Sequence, residues 1–225
     1  MTFYLSAYRS QPAAAYLFAR VRLSRNEIES DLQIGLNVAY VEPESQTVTL
    51  YPFEKIYSIS DAEWLRWEEL QDADAISLEN TGICYRFYQA DAGDATIVTS
   101  LTCNTNCVMC PVSESSRCHA QLTPVEELKM QIRYFGTDIP HITITGGEPT
   151  LLKQGLVEVV QYAKEQCPSA EILILTNGRT FSVAPYAQAF NRILVTQDQI
   201  AIPIHGSNAE RHDAVTQAQG SFVQT

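Results

Sequence analysis

The chain predicts an α/β protein, with parallel βα units from about residue 93 onward and a small α+β domain before them. Two observations carry this. Beyond residue 93, apolar runs of strand length alternate with helical segments, and each run ends in a short polar or glycine-rich turn. Before it, hairpin-like alternation and one short acidic helix replace that regular order. The predicted domains are 1–92 and 93–225.

In residues 1–92 the turn Glu42-Pro43-Glu44-Ser45 leads into the alternating strand 46–50. A short acidic helix is expected near Asp61–Gln71 and a strand near Ile83–Tyr88. Trp64 and Trp67 read as core. A domain placed here would suit recognition of a leader peptide or partner, and a plain packing domain would carry the same pattern.

The second region opens with the strand-like run Ala95–Leu101, followed by Cys103-x3-Cys107-x2-Cys110. A compact loop with this spacing can turn three thiolates toward one centre. A 4Fe-4S cube held by three of them keeps one iron open for another ligand. On the cysteines alone a structural zinc remains open, with Cys118 or His119 as the fourth ligand. A disulfide scaffold is disfavoured because Cys84, Cys118 and Cys167 are scattered.

A helix over 124–135 is expected next, since Thr123-Pro124-Val125-Glu126 has a capping-box pattern with proline at the first helical position, and Gly136 stops it. Strand His141–Thr145 runs into Gly146-Gly147-Glu148-Pro149-Thr150. Its glycines would let the backbone approach a ligand, and Glu148 could accept from an ammonium group. Leu152, Leu156, Val159, Val160 and Ala163 give the segment Leu151–Cys167 the face of a helix lying on a sheet. The apolar run Glu171–Leu175 reads as a strand buried on both faces and ends in Thr176-Asn177-Gly178. Residues 199–204 read as a fourth strand before His205-Gly206-Ser207, with Pro203 tolerable only near its end. A helix from about Asn208 follows.

The three cysteines, Gly146-Gly147-Glu148-Pro149 and Thr176-Asn177-Gly178, in this order on successive βα units, resemble the radical S-adenosylmethionine (SAM) enzymes over about residues 95–225. The resemblance implies a partial, incomplete β/α barrel, here truncated after its fourth strand, in which Cys103, Cys107 and Cys110 ligate a 4Fe-4S cluster. The methionine end of SAM would chelate the fourth iron. One-electron cleavage would then give a 5'-deoxyadenosyl radical that takes a hydrogen atom from the substrate. It further implies cofactor contacts from Gly146, Gly147, Glu148 and Pro149, from Met109 to adenine, and from Thr176 and Asn177 along the cofactor wall. Pro203 and His205 depart from a common family pattern of serine and aspartate; His205 is a candidate proton donor or hydrogen-bond partner at the substrate, and a structural histidine at a strand end would read the same. His119, His141 and His212 read as structural.

Within the family, Ile172–Arg179, Ala201–Gly206 and the later Arg211-His212-Asp213 to Gly220-Ser221-Phe222 look most like the radical SAM maturases of His-Xaa-Ser peptide systems. That resemblance implies oxidoreductase chemistry on a ribosomal peptide substrate, an electron donor such as flavodoxin or ferredoxin, and a second radical SAM maturase alongside. A radical enzyme for a nucleotide or other small molecule, and a catalytically incomplete partner of this family, share the same motifs.

Composition agrees with these expectations. The 225 residues are 45% hydrophobic, and no apolar run reaches membrane-spanning length. The apolar stretch 13–19 is too short and poorly flanked for a signal peptide. A net charge of -11 disfavours nucleic-acid backbones as partners. Unpaired cysteines suit a reducing cytoplasm.

Overall fold

A computed structural model describes residues 1–6, 8 and 16–225. Residues 13–15 of the apolar stretch 13–19 lie outside them. The chain divides into two compact units, one of residues 1–95 with 133–136, the other of residues 96–132 with 137–225. Among the described residues no helix is long and apolar enough to cross a membrane.

The first unit is built on a seven-stranded sheet from β1 (Thr2–Tyr4), β2 (Tyr16–Arg22), β3 (Val38–Glu42), β4 (Thr47–Tyr51), β5 (Lys55–Ser58), β6 (Ala75–Glu79) and β7 (Ile83–Tyr88). Their order is β1-β7-β6-β2-β3-β4-β5, and β2 with β3 is the parallel pair in an otherwise antiparallel sheet. That pairing is made through a crossover carrying α1 (Ile28–Gln33). In β4 the expected alternation holds: Val48 and Leu50 are buried, and Thr47 and Thr49 are partly exposed. The second helix, α2 (Asp61–Trp67), is shorter than predicted and starts with a capping box of Ser60 and Glu63. It delivers Trp67 into the core, where the indole N–H donates to the Tyr4 carbonyl at 2.9 Å and Phe3 stands edge-on at 5.0 Å. Trp64 is partly buried against the same cluster. Asp31 of α1, almost fully buried, takes ion pairs from Arg20 and Arg22.

The second unit follows the predicted βα alternation. Its strands are β8 (Asp94–Val98), β9 (His141–Thr145), β10 (Glu171–Leu175) and β11 (Gln199–Ala201), in the order β11-β10-β9-β8. β9, β10 and β11 run parallel, with Ile142 beside Ile172 and Ile174 beside Ile200. Helices α3 (Glu114–His119), α4 (Val125–Ile132), α5 (Gln154–Gln166), α6 (Ala184–Asn191), α7 (Ala209–Thr216) and α8 (Ser221–Gln224) connect and close this layer. Strands in sequential order with helices between them make the first part of a β/α barrel. Leu156, Val159, Val160 and Ala163 of α5 are buried, as their spacing predicts.

In the second unit, besides β8 ending at Val98 short of the expected Leu101, three boundaries differ from expectation. α4 stops at Ile132, and Arg133–Gly136 count with the first unit. Pro149–Leu152 form a 3-10 turn, and Lys153, at φ 52°, breaks the chain before α5 begins. β11 ends at Ala201, ahead of Pro203, which has no N–H to add to a ladder.

Candidate active site

The second unit carries a cavity of about 510 Å³ where β9, β10 and β11 end. Cys103, Cys107 and Cys110 lie on its wall with Gly146, Gly147, Thr176, Asn177 and His205. The spacing-based candidates on four successive segments therefore meet in one place. Three do not reach the wall: Met109 is exposed on the cysteine loop, and Glu148 and Pro149 are buried.

The cysteine loop is held from several sides. Asn106 and Val108 donate backbone N–H bonds to Thr216 and Val215 carbonyls at 2.9 and 3.0 Å. Asn177 Nδ2 donates to Asn104 Oδ1 at 2.6 Å, and Arg179 donates to the Asn104 carbonyl at 2.6 Å while holding Gln224 Oε1. Arg117, buried in α3, donates to Asn106 Oδ1 and the Val112 carbonyl. A hydroxyl sits between two of the thiols: Thr105 Oγ1 lies 3.2 Å from Cys103 Sγ and 3.5 Å from Cys107 Sγ. Once those sulfurs ionise, it can turn its proton toward them.

The glycines of the β9 turn serve a purpose the sequence does not suggest. A Cβ on Gly146 would stand 2.3 Å from the Ser100 carbonyl oxygen, and one on Gly147 2.2 Å from that of Thr102. The close approach is therefore to the chain entering the cysteine loop. Gly147 and Glu148 donate their N–H groups to Ser100 and Thr102 carbonyls at 2.7 and 2.9 Å.

Glu148 is fully buried and turned into the protein. Its Oε1 accepts from Thr150 N–H, Thr150 Oγ1 and Thr176 Oγ1 at 2.9, 2.6 and 2.6 Å, and its Oε2 from Asn177 N–H at 2.7 Å. Those donors offset the cost of burying the carboxylate. The side chain thus sets the ends of β9 and β10 instead of facing the cavity as expected. Nearby, burial and then the Glu148 charge push the Tyr186 phenol up, and its buried hydroxyl has no hydrogen-bond partner among the described residues.

His205 reaches the wall beside buried His212, with ring centroids 5.5 Å apart. The His205 N–H donates to His212 Nδ1 at 3.2 Å, which places the neutral ring's proton on Nε2. His212 thereby fixes the backbone that carries His205. The other two histidines lie elsewhere: His119 is bonded to the Ser115 carbonyl within α3, and His141 pairs with Glu171 at the start of the strands.

None of the six cysteines is in a disulfide among the described residues. Burial pushes the thiol pKa of Cys84 up to about 12 and that of Cys167 up to about 11, so both stay protonated and unreactive. Among the described residues no group of three His, Cys, Asp or Glu side chains converges on a single-ion site. Three thiols of one loop spread along a cavity wall suit a cube, in which each thiolate takes its own iron. A lone zinc needs all its ligands within about 2.3 Å of one point. Cys118 lines a second cavity and is not on this wall.

The residues that sequence reasoning passed over are Thr105, Arg117 and Arg179, while His212 has the structural role expected of it. Of these, Arg179 alone had a local signal, since it directly follows Thr176-Asn177-Gly178.

A family model described as the Radical SAM superfamily matches residues 97–224. A protein of Methanocaldococcus jannaschii named as a glycyl-radical enzyme activating enzyme is 37% identical over 76 residues, covering 34% of this chain and 30% of that protein. The match thus spans about a third of that relative's length.

Proposed function

This chain belongs to the radical SAM superfamily, and from that premise we propose that it carries a 4Fe-4S cluster on Cys103, Cys107 and Cys110 and uses SAM to modify a polypeptide. Family membership itself implies an iron-sulfur cluster and SAM. The observation that carries the reading is the meeting of the cysteine loop with Gly146, Gly147, Thr176 and Asn177 on one cavity.

When bound, the reduced cluster and SAM supply a 5'-deoxyadenosyl radical able to take a hydrogen atom from an unactivated carbon. The protein's own part is placement. Three thiolates would hold the cluster, and Gly146 and Gly147 would bind the ammonium end of SAM. Thr176 and Asn177, set by Glu148, form the cofactor wall, and Met109 is available to adenine from the loop. His205, on the same cavity wall, would serve as a hydrogen-bond or proton partner for the substrate.

We read the substrate as a ribosomal peptide, on the resemblance of Ile172–Arg179 and Ala201–Gly206 to His-Xaa-Ser system maturases. A second reading, formation of a backbone radical on a partner enzyme, is favoured by the name of the Methanocaldococcus protein. Both need a polypeptide in the cavity and a one-electron donor such as flavodoxin or ferredoxin.

The test is anaerobic reconstitution with iron and sulfide, reduction by dithionite with SAM, and an assay for 5'-deoxyadenosine. Product that depends on all three cysteines supports the proposal. A cluster without cleavage favours a catalytically incomplete partner of the family, and no cluster overturns the site assignment. Deuterium passing from labelled candidate peptide into 5'-deoxyadenosine then favours maturation, and a persistent protein radical favours the second reading.

A further inference from the structure

Two guanidinium groups hold the cysteine loop, one from each of two cavities, and among the described residues neither is ion-paired. Arg179 lies on the 510 Å³ cavity and bonds the Asn104 carbonyl next to Cys103, with Gln224 Oε1 as its other acceptor. Arg117 lies on a second cavity of about 410 Å³ and bonds Asn106 Oδ1, next to Cys107, and the Val112 carbonyl. Every one of these acceptors is neutral. Among the described residues, Glu114 is the side-chain carboxylate on the second cavity's wall, and no Asp or Glu side chain lines the first. Among the described residues neither arginine forms an ion pair, although the chain carries a net charge of -11.

Holding a loop through carbonyl and amide oxygens does not need a permanent charge, since a neutral amide donor would do it. Two cations kept half-buried or buried without a counter-ion call for an anion at the point they share, and that point is the loop bearing three thiols. Resting on the proposed cluster assignment, the anion is the cluster itself. A cube held by three thiolates is anionic, and uptake of one electron from a donor adds one further negative charge.

We propose that Arg179 and Arg117 are the counter-charges of the reduced cluster, raising its reduction potential so that a one-electron donor can fill it. A positive charge close to the loop favours the reduced form over the oxidised one, and the low dielectric around Arg117 strengthens the effect. They are positioning residues by their hydrogen bonds and electrostatic ones by their charge, and the two roles separate experimentally.

The experiment is a potentiometric titration of the reconstituted full chain with dithionite, following the reduced cluster by electron paramagnetic resonance, with iron and sulfide content measured on each sample. Arg179→Gln is expected to keep its cluster and titrate at a more negative potential than wild type, whereas Arg179→Lys stays near the wild-type value. Arg117→Gln is expected to shift in the same direction, and the double variant further. An unchanged potential in cluster-loaded Arg179→Gln overturns the proposal, as does an equal shift in Arg179→Lys. If Arg179→Gln loses its cluster, Arg179→Lys decides: a wild-type potential supports the proposal, and a lowered potential or cluster loss makes the arginine a purely structural clamp. Wild-type protein that takes up no cluster overturns the underlying site assignment instead.

Discussion

Glu148 and Asn177 are joined across the sheet: Glu148 Oε2 accepts the Asn177 backbone N–H at 2.7 Å, so the turn after β9 dictates where the turn after β10 stands. Asn177 in turn reaches Asn104 of the cysteine loop. Glu148→Ala would leave the Asn177 amide and the Thr150 and Thr176 donors buried without their acceptor. The expected cost is about 3 kcal/mol in denaturant unfolding. We expect the cluster to remain and the Kd for SAM to rise about tenfold, read by equilibrium binding. Unchanged affinity would remove Glu148 from any influence on the cofactor wall.

Cys103→Ala, Cys107→Ala and Cys110→Ala should each abolish iron uptake. Cys84→Ala and Cys167→Ala should not, because those thiols are buried and held protonated. Iron and sulfide analysis after reconstitution checks this, and equal iron loss from all five variants would contradict the site.

Gly147→Ala places a methyl 2.2 Å from the Thr102 oxygen and 2.5 Å from that of Leu101, both backbone atoms that lead into Cys103. The loop must shift. We expect lower iron content per chain together with about 2 kcal/mol lost stability; full cluster occupancy in this variant would show that the entry to the loop is more compliant than its packing implies.

Lys164 meets both oxygens of buried Asp198 at 2.8 Å, and Ile172 and Val195 donate backbone N–H bonds to the same carboxylate. Burial alone would raise the Asp198 pKa, but the Lys164 and backbone bonds outweigh it and hold it below the ordinary value. A depressed folded-state pKa means the stabilisation is complete above the unfolded-state value and is lost as pH falls through the folded one. Asp198→Asn should therefore be less stable at pH 7 by about 3 kcal/mol. It should also show a flatter loss of stability below about pH 4. Unfolding midpoints across that range test both.

Tyr186→Phe should be neutral or stabilising by about 1 kcal/mol, since the hydroxyl it removes is buried without a partner among the described residues and lies near the Glu148 charge. Thermal unfolding would register a loss of stability if that hydroxyl had a partner.

The parts legible in the sequence are those encoded by short spacing. The cysteine loop, the glycine turn after β9 and Thr176-Asn177-Gly178 each sit at a strand end, and the βα order placed those ends together. The parts that were not legible depend on partners far apart in sequence. Arg117 and Arg179 are separated by 62 residues, and no local pattern says that both close on one loop. The direction of Glu148 was equally hidden, because a carboxylate after two glycines can face a ligand or turn inward, and only the positions of Thr176 and Asn177 decide. In the first unit the hairpin of β3 and β4 was readable from its turn, whereas the parallel pairing of β2 with β3 rests on a crossover that alternation alone does not reveal.

Residues 133–136 carry a consequence for how the protein is made. Tyr134 is buried in the first unit, its hydroxyl donating to the Phe18 carbonyl at 2.9 Å and accepting from Asn37 N–H at 3.1 Å. On a ribosome, residues 1–95 emerge before the segment that finishes their packing. The unit can close only after the whole cysteine loop and α4 have been synthesised, so the first unit's completion waits on the second unit's beginning.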